Sequence, residues 1–176
     1  MSRFPNTTSN ELRRYFNSQS LENLLKINIS YGPHFESLDA RIDEFKMNLG
    51  KANSRLAYFT EKHTAHLLTY KEIEIREVSY QSIRNSMLSE TDQTDRLLGL
   101  KAIGISPMET YEYEERCLAE AISKTSDEIE RMNRFITDLE EKVKIAFSEL
   151  RILNSVIQAK RQLISEPPSK QLGSQY

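Results

Sequence analysis

The chain has 176 residues, 28 % of them charged, with five glycines, five prolines and no tryptophan. That profile belongs to a single helix-rich chain and argues against a compact α/β enzyme. The 24 basic and 26 acidic residues leave a formal net charge of −2, without the basic footprint of a nucleic-acid binder or the clustered Lys and Arg of a membrane-surface protein.

Residues 1–9 are rich in Ser, Thr and Asn and read as disordered. A first helix is predicted over 10–29, capped by Ser9 or Asn10, with Leu12, Phe16 and Leu24 in its apolar content. Ser20 is placed to cap a fresh helix, which would divide the stretch in two. Tyr31-Gly32-Pro33 is the clearest break. Beyond it a heptad frame runs Phe35, Leu38, Ile42, Phe45, Leu49, Ala52, Leu56 and Phe59, then His63, His66, Tyr70, Ile73, Glu77, Tyr80, Arg84 and Met87. This predicts a helix over 33–88. Leu68, Ile75 and Val78 lie outside the frame, so a drift or a stutter of the stripe is expected there.

A short helix is predicted over 90–98. Ser106-Pro107-Met108-Glu109 then has the form of a helix start, with Glu109 completing a capping box. The last helix, 107–164, holds a seven-residue apolar repeat from Met108 to Ile164 and stops at Pro167-Pro168. Residues 165–176 read as a flexible tail. The fold class expected is all-α, with 10–164 forming one elongated domain: a long antiparallel coiled-coil hairpin, with the N-terminal helix packed at one end as a three-helix section.

Phe135, Ile145, Ile152, Val156 and Leu163 form a second stripe beside the main seam of the last helix. A two-helix coil leaves them exposed. Either the N-terminal helix, tethered near Gly32, folds back over them or a partner does. A connector centred near Leu97 and Leu98 pairs residues whose numbers sum to ~195. Phe45 is then expected against Leu150, Phe35 against Lys160, Tyr80 against Glu115, Tyr70 against Thr125 and Met87 against Met108. A parallel dimer through the last helix is the competing arrangement, but it would stack Glu115 on Glu115.

Catalytic motifs are absent: no phosphate loop, no GxGxxG, no GxSxG and no HExxH. His63 and His66 share a helix face at i, i+3 spacing but fall on seam positions, which favours a polar layer in the coil over a metal site. Cys117 is the sole cysteine, so no intrachain disulfide is expected, and it lies off the seam as an unreactive thiol. No secretory h-region or membrane-length apolar run is present. The expected location is therefore the cytoplasm, with the nucleus as an alternative, and no secretion or transmembrane segment.

The reading is a non-catalytic structural or scaffolding subunit with no cofactor and no metal. Its partners are other helical proteins or a second copy. Candidate partner contacts are Leu12, Phe16 and Leu24 on the first helix, Leu97, Leu98 and Leu100 on the connector, and Phe135, Ile145, Ile152, Val156 and Leu163 on the last helix. The alternative is a BAR-like membrane-shaping or vesicle-tethering module, by analogy of fold only. Lys51, Arg55, Lys62, Lys142 and Lys144 would supply its basic patch.

Overall fold

The computed structural model describes residue 4 and residues 7–165. Among them all secondary structure is helical: α1 (Ser9–Ser18), α2 (Leu21–Ile29), α3 (Tyr31–Leu68), α4 (Tyr70–Leu88), α5 (Gln93–Ile103) and α6 (Pro107–Ser165). The fold class is all-α. The expectations for residues 1–3, 5, 6 and 166–176 lie outside the described residues. Internal contacts divide the chain into two units, one drawn from Met1–Met47 and Met132–Tyr176, the other from Asn48–Arg131.

In the first unit each helix start has a local cause. Thr8 caps α1: its hydroxyl accepts from the Glu11 N–H, and the Glu11 carboxylate accepts from the Thr8 N–H at 2.8 Å. That reciprocal box holds the Glu11 carboxyl below the ordinary carboxylate range, chiefly through the Thr8 backbone bond. Ser20 accepts from the Asn23 N–H at 3.2 Å and opens α2, so the stretch 10–29 is two helices. Phe4, within the segment read as disordered, packs edge-on against Phe16 and tilted against Tyr15.

Leu12 and Phe16 of α1, Leu24 of α2 and Tyr31 of α3 close a core with Ala146, Leu153, Val156 and Ile157 of α6. A smaller cluster joins Leu38 and Ile42 to Leu139. Along this unit α3 and α6 run antiparallel: Phe35 stacks on Phe147, Phe45 stacks on Phe135, and Lys46 pairs with Glu140. This corrects the expected register, which put Leu150 opposite Phe45 and Lys160 opposite Phe35. Lys160 instead donates to the Asn17 carbonyl at 2.9 Å, placing a cation at the C-terminal end of α1. The two stacked aromatic pairs sum to about 181, two heptads short of the expected value. A slip by whole heptads preserves which face is apolar, so periodicity alone cannot detect it.

The second unit contains the rest of α3, α4, α5 and the first part of α6. The helix expected to be continuous over 33–88 is interrupted at Thr69. There the hydroxyl donates to the His66 carbonyl at 2.7 Å, and the Thr69 N–H reaches back to the same carbonyl. Such a local bond competes with the regular ladder. Across the interruption Ile73, Glu77 and Tyr80 of the seam frame are half-buried while Tyr70 and Arg84 are exposed, and Leu68, Ile75 and Val78 outside the frame stay exposed, so the seam weakens without moving to those three.

The chain reverses at 89–92, and α5 packs back along α4. Asp92 caps α5 by accepting from the Thr94 and Asp95 N–H groups. A Cβ added at Gly99 would lie 2.4 Å from Met87 Sδ, so the Met87 side chain would have to shift to admit one. Gly104, at φ 71°, ends α5 in a conformation glycine adopts without strain. Tyr80 donates to the Gly104 carbonyl, not to Glu115, and Tyr70 packs on Tyr111, not on Thr125. Met87 lies against Gly99 rather than Met108. The physical reason is that the return limb begins at α5, ahead of the expected midpoint at Leu97 and Leu98.

Candidate functional site

Three arrangements concentrate the chemistry of the described residues. The first is a buried polar bond in the first unit. The Tyr31 hydroxyl donates to Glu149 Oε2 at 2.9 Å, with the two residues 1 % and 2 % exposed. A carboxylate taken out of water is costly unless donors reach it, and Tyr31 reaches it from the first turn of α3. Glu149 occupies the second stripe of α6, between Ile145 and Ile152 at helical spacing. It is the one charged position between Ile145 and Val156 in that stripe, a signal the composition carried but the sequence reading passed over.

The second is a histidine–tyrosine layer in the other unit. The His66 ring stacks on Tyr111 with centroids 4.1 Å apart, and Tyr70 packs edge-on against the same tyrosine. His66 Nε2–H donates to the Tyr111 carbonyl at 3.1 Å, leaving Nδ1 turned to Glu114 at 3.7 Å. Tyr111 is buried, and that burial pushes its hydroxyl above the ordinary tyrosine range, with Glu115 and Tyr70 adding to the shift. Tyr113 is raised through its hydrogen bond with the exposed Cys117. Thr125 satisfies its own hydroxyl on the Ala121 carbonyl. The buried Nε2 of His63 makes no hydrogen bond. Among the described residues no group of three or more His, Cys, Asp or Glu side chains is disposed to hold a metal ion.

The third arrangement is Glu77, which the sequence reading treated only as a charged seam residue. From α4 it accepts from the Ser106 hydroxyl at 2.6 Å and from the Met108 N–H at 3.0 Å, while Gln81 donates to its other oxygen. The Ser106 bond is the largest cause holding its carboxyl below the ordinary range. The side-chain carboxylate at the start of α6 is thus supplied across the chain by Glu77, and an anion at a helix N-terminus is favoured there.

The candidate partner residues fall in different environments. Leu12, Phe16, Leu24 and Val156 are buried in the core of the first unit, and Ile152 packs against it. Phe135, Ile145 and Leu163 remain exposed, although Phe135 stacks on Phe45. Leu97 and Leu98 are about 60 % exposed on α5, Ile105 beyond it 72 %, and Leu100 is half-buried. Of the cations weighed as a basic patch, Arg55 pairs with Glu128, Lys142 with Asp138 and Lys144 with Glu141, and Lys62 lies over the Tyr58 ring. No described helix is long and apolar enough to cross a membrane. Comparison with protein-family models, curated proteins and solved structures finds no match to this chain.

Proposed function

We propose that this chain is a non-catalytic scaffolding subunit, an antiparallel coiled-coil hairpin whose N-terminal helices pack on one end and whose other surfaces bind helical partners. The observation that carries this reading is the set of large apolar side chains held on the outside of α5 and just after it. Leu97 and Leu98 are exposed on a helix already seated against α4 through Gly99, and Ile105 is exposed just beyond it. An apolar cluster of this kind marks a protein-binding surface more readily than a solvated one. The buried tyrosine–carboxylate bond and the cross-chain cap by Glu77 have the character of structural devices, since each is fully engaged in holding helices.

The test is affinity capture from the native source, comparing the wild type with Leu97→Asp/Leu98→Asp. The expected result is a defined helical partner retained by the wild type and lost by the variant, with helicity unchanged. Identical captured sets would remove α5 as the contact surface, and turnover of a substrate by the purified chain would overturn the non-catalytic reading.

A further inference from the structure

We infer that the outer face of α3 and α4, over residues 50–82, pairs with the same face of a second copy, antiparallel, about a twofold axis near residue 66. The inference goes beyond the scaffold reading and does not depend on it, because the α5 leucines lie on a different element.

The outer face of a helix in a coil is ordinarily its most charged. Here one stripe on the side away from the seam runs Gly50, Ser54, Ala57, Glu61, Thr64, Leu68, Lys71, Ile75, Val78 and Ser82. They alternate in steps of four and three, which is the spacing of a second seam. Every one of them is exposed. Leu68 is 80 % exposed and Ile75 and Val78 69 % each, with Tyr58 and Leu67 on the flanks also open. An apolar groove of about 740 Å³ runs along this face, lined by Leu56, Ala57, Thr60, Thr64 and Leu68 among others.

The occupant is identified by the charges. Glu61 and Lys71 are the only charged positions in the stripe and have opposite sign. In an antiparallel coil each alternate position faces the opposite set of its partner, so a twofold that brings Glu61 to Lys71 fixes every other pair. Ala57 then meets Ile75, Ser54 meets Val78, Gly50 meets Ser82 and Thr64 meets Leu68. Each large apolar side chain of the stripe falls opposite a smaller one, the condition for close packing. The flanks agree as well: Tyr58 falls beside Glu72, Thr60 beside Glu74, Asn53 beside Gln81, and Leu67 meets its own copy across the axis. No like charges meet. A parallel pair would instead stack Glu61 on Glu61 and Lys71 on Lys71. The paired stretch covers roughly 50 Å of helix.

The experiment uses the full chain and follows its mass by sedimentation and light scattering over a dilution series. The wild type is expected to show a monomer–dimer equilibrium that Ile75→Glu/Val78→Glu abolishes without loss of helicity, both residues being exposed. Glu61→Lys or Lys71→Glu alone should weaken the dimer about tenfold, because two repulsive contacts replace two attractive ones. The double swap in one chain should restore it to within about threefold. In a Cys117→Ser background, Ala65→Cys near the axis should crosslink between copies with a short bismaleimide, and Ser79→Cys should not. A chain that stays monomeric at about 100 µM overturns the inference and leaves the face to another partner. A double swap no better than the single ones, or crosslinking through position 79, overturns the antiparallel pairing.

Discussion

In the unit drawn from α1, α2, the start of α3 and the end of α6, the side chains of Phe16, Leu24, Tyr31, Glu149 and Leu153 are essentially sealed from solvent. In the unit over Asn48–Arg131, the buried described residues are Ala52, Tyr111 and Thr125, while Leu68, Ile75, Val78, Leu97 and Leu98 stand in the open. The first unit has additional short helices laid across its seam, and each supplies apolar side chains that turn a line of contacts into a core. The second has α5, which contributes close backbone approach at Gly99 more than buried area. Stability in the first is tertiary. In the second it rests on helix propensity, caps and half-buried seam residues.

The largest expected effects therefore fall in the first unit. Phe16→Ala should cost about 3–5 kcal/mol and Leu24→Ala about 2–5 kcal/mol in chemical denaturation, because each leaves a cavity in a closed core. Val156→Ala in the same cluster should couple to Leu24→Ala, so the double variant should depart from the sum of the singles. Leu56→Ala, at a half-buried position of the second unit, should cost roughly 1 kcal/mol. A Leu56→Ala loss as large as that of Leu24→Ala would remove the distinction between the units.

The buried bond between Tyr31 and Glu149 comes next. Tyr31→Phe keeps the ring in place and removes a hydroxyl that donates to a buried carboxylate, which should cost about 1–3 kcal/mol. Glu149→Gln should cost less than Tyr31→Phe, since an amide oxygen still accepts and no charge is buried. If the two substitutions are equal and additive, the bond contributes nothing specific.

Much of this was legible in the sequence, and the failures share a cause. The apolar repeat identified the all-α class and the seam faces of α3, α4 and α6, and Ser20 and Ser106 marked helix starts that the structure contains. Periodicity specifies a face and is silent on register, so Phe45 could be assigned to Leu150 when it meets Phe135. A short helix over 90–98 is expected inside a connector centred on Leu97 and Leu98, whereas the chain already reverses at 89–92 and α5 runs Gln93–Ile103. It is a limb packed by Gly99, and only three-dimensional proximity reveals that role. Glu77 and Glu149 illustrate the same limit. A carboxylate at a seam or flank position reads as an irregularity until the donor that meets it, from another helix, is known.

Glu77 gives a pH-dependent form of the comparison. Its folded pKa is lowered, chiefly by the Ser106 hydroxyl and then by Gln81 and the Met108 N–H. A depressed carboxylate adds stability that is fully present above the ordinary value of about 4.3 and is lost as pH falls through the lower folded value. The melting temperature of Glu77→Gln should lie below that of the wild type at neutral pH, and the gap should close in that acid window. A gap independent of pH between 6 and 3 would show that the bonds to α6 do not depend on the charge.

The smallest effects concern two glycines of the thin unit and test whether local helix propensity carries it. Gly50 lies inside α3, with open space where a Cβ would be. Glycine there costs about 0.5–1 kcal/mol against alanine, so Gly50→Ala should stabilise by that amount. Gly99 lies inside α5 and carries the same intrinsic penalty, but its added Cβ lands 2.4 Å from Met87 Sδ and 3.2 Å from the Met87 Cγ. The thioether must move, and the close seat of α5 on α4 loosens as it does. Gly99→Ala should therefore lose most or all of the gain that Gly50→Ala keeps. Met87→Ala in the Gly99→Ala background should recover part of it, because the obstructing atoms are gone. Equal stabilisation by both single substitutions, read from denaturant midpoints with unchanged slope, would mean that α5 is held by something other than its contact with Met87.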